Sequence, residues 1–210
     1  GFEKLVVVKR ILPHLREDAQ FVEMFLAEAR LAASLRHPNI IEIFDSGTTA
    51  HGDMYIVMEY LSGGSLEDRL IQPLPVGEAL QVTREICEGL SFAHAGGVIH
   101  GSLRPGNILF CESGHAKIAD FGLHHHEGAD AGYSLASDPK SVRADLFATA
   151  VIFYQMLTGS LPGWEKDDFV PNALFFALPL AMLAALGLSL IRPRAIVGVA
   201  VGVLALAETL

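Results

Sequence analysis

The sequence predicts an α+β fold. Short runs rich in β-branched and apolar residues, bounded by turn formers, fall at 5–9, 40–44, 54–60, 108–110 and 116–119. Apolar residues recur at helical spacing across 18–36, 76–95 and 143–158. The far end stands apart: 169–191 carries no charged residue, and 173–191 is long enough to cross a bilayer.

Taken in order, Leu5, Val6, Val7 and Val8 form a strand that ends in Lys9. In the helix over 18–36, Asp18 serves as N-cap and Pro38 as the stop. Its stripe is Phe21, Met24, Phe25, Leu31, Ala32 and Leu35. Glu28 falls on that stripe, where a carboxylate either reaches solvent at the edge or needs a cation. The strands over 40–44 and 54–60 are joined by a turn around 48–53. Ser62-Gly63-Gly64-Ser65-Leu66 breaks the second strand and opens a helix, and Pro75 precedes a longer one over 76–95, with Leu80, Ile86 and Leu90 buried. The strands at 108–110 and 116–119 flank a turn at Ser113-Gly114. The helix over 143–158 presents Leu146, Phe147, Ile152, Phe153 and Leu157.

A chain of 210 residues accommodates one large domain or two small ones, and its net charge of -9 argues against nucleic acid as a partner. Cys87 and Cys111 lack metal-ligand spacing and read as reduced thiols of a cytosolic protein. Gly1 is not an initiating Met and no signal peptide follows it, so the chain reads as a piece of something longer. His124-His125-His126 invites a metal, but consecutive loop side chains converge poorly on one ion, and a solvated loop is the expectation.

Several ordered motifs resemble those of protein kinases, in particular bacterial Ser/Thr kinases. They are the strand ending in Lys9, then Glu28, His37-Pro38-Asn39-Ile40, Met58-Glu59-Tyr60-Leu61 and His100-Gly101-Ser102-Leu103-Arg104-Pro105-Gly106-Asn107. Asp120-Phe121-Gly122 after a strand, Ala144-Asp145-Leu146-Phe147 and Met156-Leu157-Thr158-Gly159 complete the set, which covers 5–162. The resemblance implies a two-lobed kinase fold lacking its first two strands: a partial N-lobe at 1–61, a shortened C-lobe at 62–163 and membrane-associated helices at 169–210. It implies that Lys9 pairs with Glu28, that Met58 is the gatekeeper, and that the Glu59 carbonyl and Leu61 amide meet an adenine edge lined also by Val7 and Leu109. Asn107 and Asp120 would hold magnesium, Arg104 would join the catalytic loop, and Asp145 would hold that loop's backbone.

The departures from the family pattern point one way. Ser102 stands where the family has the Asp that accepts the substrate proton, and a hydroxyl has no useful basicity near neutral pH. Gly101 replaces the usual Arg, Val7 replaces an Ala against the adenine ring, and no residues are present to form a Gly-rich loop. The interval from Asp120 to Asp145 is about half what the family uses, with no A-P-E motif and only a remnant at 133–141. The expectation is a pseudokinase that binds a protein partner, takes ATP and magnesium weakly or not at all, and is tethered to the inner membrane on its cytoplasmic side. The alternatives are an active Ser/Thr kinase and a small-molecule phosphotransferase; His100-Gly101 fits the latter, which also needs Asp at 102. At the C-terminal end, Gly198 and Gly202 have a spacing suited to helix contact in lipid. Arg192 and Arg194 would fall outside after one crossing, which a hairpin that does not fully cross would relieve. The competing reading makes the same residues the last helices of the C-lobe.

Overall fold

The structure is a computed structural model and describes residues 4–10, 22, 25, 29, 31–50, 52–121, 133 and 141–161. Its first sheet has three antiparallel strands in the order β1-β3-β2: β1 Val6–Arg10, β2 Ile43–Thr48 and β3 Met54–Glu59. The central strand reads as one should when its two faces differ: Met54, Ile56 and Met58 are buried while Tyr55, Val57 and Glu59 are half-buried. Among the described residues β1 pairs with β3 alone, and its three valines are exposed. Its register places Val7 opposite Met58 and Lys9 opposite Ile56.

Further helices follow the first sheet. Ser65 caps α1, Leu66–Arg69, through a reciprocal capping box with Asp68. The long helix α2, Val76–Ala95, starts at Pro75, and its last carbonyls are closed by the amides of Gly97 and Val98. A 3-10 turn at Pro105–Asn107 leads into a two-stranded sheet, β4 Ile108–Phe110 with β5 Ala116–Ile118. Ser141 caps α3, Val142–Thr158, which packs along α2.

Among the described residues two apolar clusters result. The larger gathers α2, α3 and the small sheet around Ile86, Leu90, Ile108, Phe110, Ile118 and Ile152. The smaller gathers Phe25, Ala29, Ile41, Met54, Ile56, Met58 and Ala119 beneath the first sheet. Ile43 packs against both. Parallel pairing of Ile40 with Ile118, and bonding of Ile118 N–H to the Asn39 carbonyl (2.8 Å), stitch the stretch before β2 to β5.

Several sequence expectations shift. Positions 22, 25, 29 and 31–33 are helical, but the helix stops at Ala33 rather than Arg36: the Ser34 amide (3.1 Å) and hydroxyl (2.6 Å) both bond back to the Leu31 carbonyl. The strand expected at 40–44 begins at Ile43 and runs to Thr48, because its length follows its pairing with β3 across an irregularity between Ile43 and Asp45. β3 ends at Glu59, β5 ends at Ile118, and Leu80 is only half-buried. No helix among the described residues is long and apolar enough to cross a membrane. Glu28, His124-His125-His126, most of 133–141 and all of 169–210 lie outside the described residues.

Candidate active site

The loop between α2 and β4 is anchored from beneath. Asp145, on the first turn of α3 and only 1% exposed, accepts the His100 amide on Oδ2 (2.9 Å) and the Gly101 amide on Oδ1 (2.8 Å). His94, near the end of α2, bonds Oδ2 through Nε2 at 2.7 Å. Burial pushes the Asp145 carboxyl up, but the His94 bond and the two backbone amides outweigh it and hold the group below its ordinary value. Gly101 has φ 76, a left-handed conformation that glycine adopts without the Cβ penalty of the arginine usual in the family.

His100 is fully buried and ties this loop to the segment after β5. Its Nδ1 accepts the Ser102 amide (3.3 Å), so Nε2 carries the proton and donates to the Ala119 carbonyl (2.9 Å). Its ring lies against Phe121, with centroids 4.8 Å apart. Asn107 is buried, donates Nδ2 to the Ser102 carbonyl (3.0 Å) and accepts the Ala119 amide on its own carbonyl (2.8 Å). These bonds hold the stretch at 119–121 against the loop at 100–107.

Asp120 has φ 62, rare for a residue other than glycine, and its carboxylate meets Lys9 Nζ at 2.9 Å. Backbone strain of this kind persists only where surrounding contacts over-determine it, and it concentrates at functional positions. The structure therefore brings together Lys9, Ser102, Asn107 and Asp120. Arg104 lies half-buried on the same loop; its guanidinium and the Glu67 carboxylate both stand close to Gly106. Val7 sits opposite Met58, while Leu61 and Leu109 pack against the smaller cluster. The expected pairing of Lys9 with Glu28 involves a residue outside the described set.

The Ser102 hydroxyl is the one buried side-chain polar atom, among the described residues, without a hydrogen-bond partner. It can donate or accept, but it cannot carry the negative charge that draws a proton from a substrate hydroxyl. Asp120 supplies a carboxylate, and Asn107, with Nδ2 engaged, retains Oδ1 as an acceptor; this pair of oxygen donors fits a hard divalent cation. No group of three His, Cys, Asp or Glu side chains among the described residues is arranged for a metal.

Two participants leave little trace in the sequence. His94 completes the Asp145 anchor, and Lys117 bonds the Glu59 carboxylate at 2.7 Å. For Lys117 the available signal is a cation on a strand running directly into Asp120-Phe121-Gly122.

A family model described as protein kinase domain matches residues 2–174. Similar proteins include a tyrosine-protein kinase, MasK, of Myxococcus xanthus (strain DK1622), 39% identical over 206 residues, which takes in 83% of this chain and 31% of that protein. The serine/threonine-protein kinase pkn3 of Myxococcus xanthus is 34% identical over 195 residues, 81% of this chain and 36% of its own. The serine/threonine-protein kinase PknB of Mycobacterium leprae (strain TN) is 31% identical over 178 residues, 75% and 29% respectively. The chain thus spans about a third of the length of these relatives. Each alignment is longer than the stretch of this chain it occupies, so the relatives carry residues inside the match that this chain lacks.

Proposed function

The chain belongs to the protein kinase family, in its eukaryotic-like bacterial branch, and from that premise we propose that it is a catalytically impaired member, a pseudokinase. Kinase domains of this family use ATP and magnesium. In this chain Lys9 would face the phosphates, Asn107 and Asp120 would hold the ion, and Glu59, Leu61, Met58, Val7 and Leu109 would line the base. Bound magnesium neutralises charge on the β- and γ-phosphates. Binding is expected to be weak, because Val7 places two extra methyls against the ring.

One observation carries the impairment: the base position holds Ser102, whose hydroxyl is buried without a partner. The short interval between Asp120 and Asp145 supports it, since that is where the family places the platform for a peptide. The working unit in this reading is a two-lobed module, 1–61 and 62–163, that engages a protein partner through the kinase fold. It is tethered to the cytoplasmic face of the inner membrane by 169–210, whose first 23 positions hold no charge.

A second reading, an active kinase, draws on the Lys9–Asp120 pair and the buried Asn107. A loose transition state asks more for positioning than for a strong base. Radiolabelled ATP with a generic basic protein and a Ser/Thr peptide library separates the two. The pseudokinase reading expects no transfer above that of Asp120→Ala. Transfer by the unmodified chain that Asp120→Ala abolishes makes it an enzyme.

A further inference from the structure

Glu59 closes β3, yet its side chain turns back into the molecule. Oε1 accepts from Lys117 Nζ at 2.7 Å and from the Glu42 amide at 2.8 Å, and the two side chains are 17% and 20% exposed. The Glu59 amide in turn donates to the Glu42 carbonyl at 3.0 Å. Lys117 projects from β5 between Ala116 and Ile118, both buried, so its own side chain leaves by the opposite face. Three residues later the chain reaches Asp120, which grips Lys9 on β1; β1 pairs along β3, whose last residue is Glu59. The links close a ring: strand ladder, Glu59–Lys117 pair, the short run to Asp120, and the Asp120–Lys9 pair.

We propose that Lys117 is a positioning residue for the base-binding end of the site. By holding the Glu59 carboxylate it fixes the peptide planes at 59–61, and it links their placement to that of Asp120. The role in binding rests on the nucleotide site proposed above. The positioning itself does not. Beyond Glu59 the chain leaves the sheet, and Tyr60 is 51% exposed, so the pair with Lys117 and the Glu42 amide restrains the strand where it ends. A carboxylate bonded to an ammonium and a backbone amide is a charge-assisted pair, stronger than neutral bonds of the same geometry. Removing the ammonium leaves a half-buried carboxylate underpaired, and its simplest relief is to swing to solvent and release Glu42.

The test is amide hydrogen exchange on the intact chain without nucleotide, for Lys117→Met, Lys117→Arg and Glu59→Gln. Lys117→Met should speed exchange at 59–61 by about tenfold while leaving α2 unchanged, and Lys117→Arg should restore the slow rate. The double variant Lys117→Met with Glu59→Gln should be no faster than either single one. Unchanged exchange at 59–61, or equal acceleration in α2, overturns the proposal. Thermal shift with adenosine and with magnesium tripolyphosphate then addresses the site. Lys117→Met should lose the adenosine shift and keep the tripolyphosphate shift; loss of both to the same degree overturns the assignment to the base end. If the unmodified chain responds to neither ligand while the exchange pattern holds, the nucleotide site fails and the positioning role stands.

Discussion

Ser102→Asp is the most informative single change, because it returns a carboxylate to the place where a substrate proton would be accepted. A general base contributes about 10²–10⁴-fold, so a defect confined to this side chain would yield a large gain. We expect none above the Asp120→Ala background, since alignment of the acceptor contributes more than the base does, and the short interval before Asp145 leaves little chain to supply it. Robust peptide phosphorylation by this variant would show that the short segment suffices. Asp145 gives a stability prediction. Its folded-state carboxyl is held below the ordinary value, so its contribution is complete at neutral pH and fades as pH falls through the lowered value. Asp145→Ala strands the His100 and Gly101 amides and His94, and should cost about 3 kcal/mol or more in urea unfolding at pH 7, with the gap from the unmodified chain narrowing in acid. The cysteines should differ in the folded protein. Burial, with Glu88 adding to it, pushes the Cys87 thiol up to about 12, while Cys111 is partly exposed. Iodoacetamide at neutral pH should therefore label Cys111 and reach Cys87 only on unfolding, as mass spectrometry of the two peptides would report.

Among the elements, α2 and α3 carry their own punctuation and the strands do not. Pro75 before α2, the Gly96-Gly97 pair after it, Ser141 before α3 and Gly159 after it are local signals, and the helix over 76–95 has the predicted bounds. Gly159 offers an element-scale test. It has φ 76, and a Cβ there would stand 3.1 Å from Pro73, whereas Gly114 has φ 85 and open space around it. Gly114→Ala should cost only the backbone penalty, about 1 kcal/mol, and Gly159→Ala should cost more, because α3 must also move off the loop before α2. Equal urea midpoints for the two variants would show that this contact yields without cost. Local composition starts β2 three residues early because a strand's ends depend on its neighbour: neither the pairing with β3 nor the irregularity between Ile43 and Asp45 is written in the segment itself.

For the molecule as a whole, the reading of 169–210 as a membrane tether has a direct consequence. The intact chain should partition into detergent and resist high-salt extraction, and deleting 169–210 should leave a folded core in the aqueous phase. Aggregation of the shortened chain, with the intact one remaining in water, would make those residues part of the core instead. By itself the sequence determined the α+β class and the helices over 76–95 and 143–158, because residue type at local spacing carries that information, while the resemblance of its motifs to those of kinases singled out Lys9, Ser102, Asn107 and Asp120, which the fold brings together. The resemblance already implied that Asp145 holds the backbone of the loop at 100–107, and only the tertiary structure decided what completes that support. His94 finds Asp145 across 51 positions, Lys117 finds Glu59 across 58, and Ile40 lies beside Ile118. Such pairs depend on which surfaces pack together, since a buried donor or carboxylate must be satisfied by whatever the packing brings near, and that partner leaves little mark in the residues on either side of it.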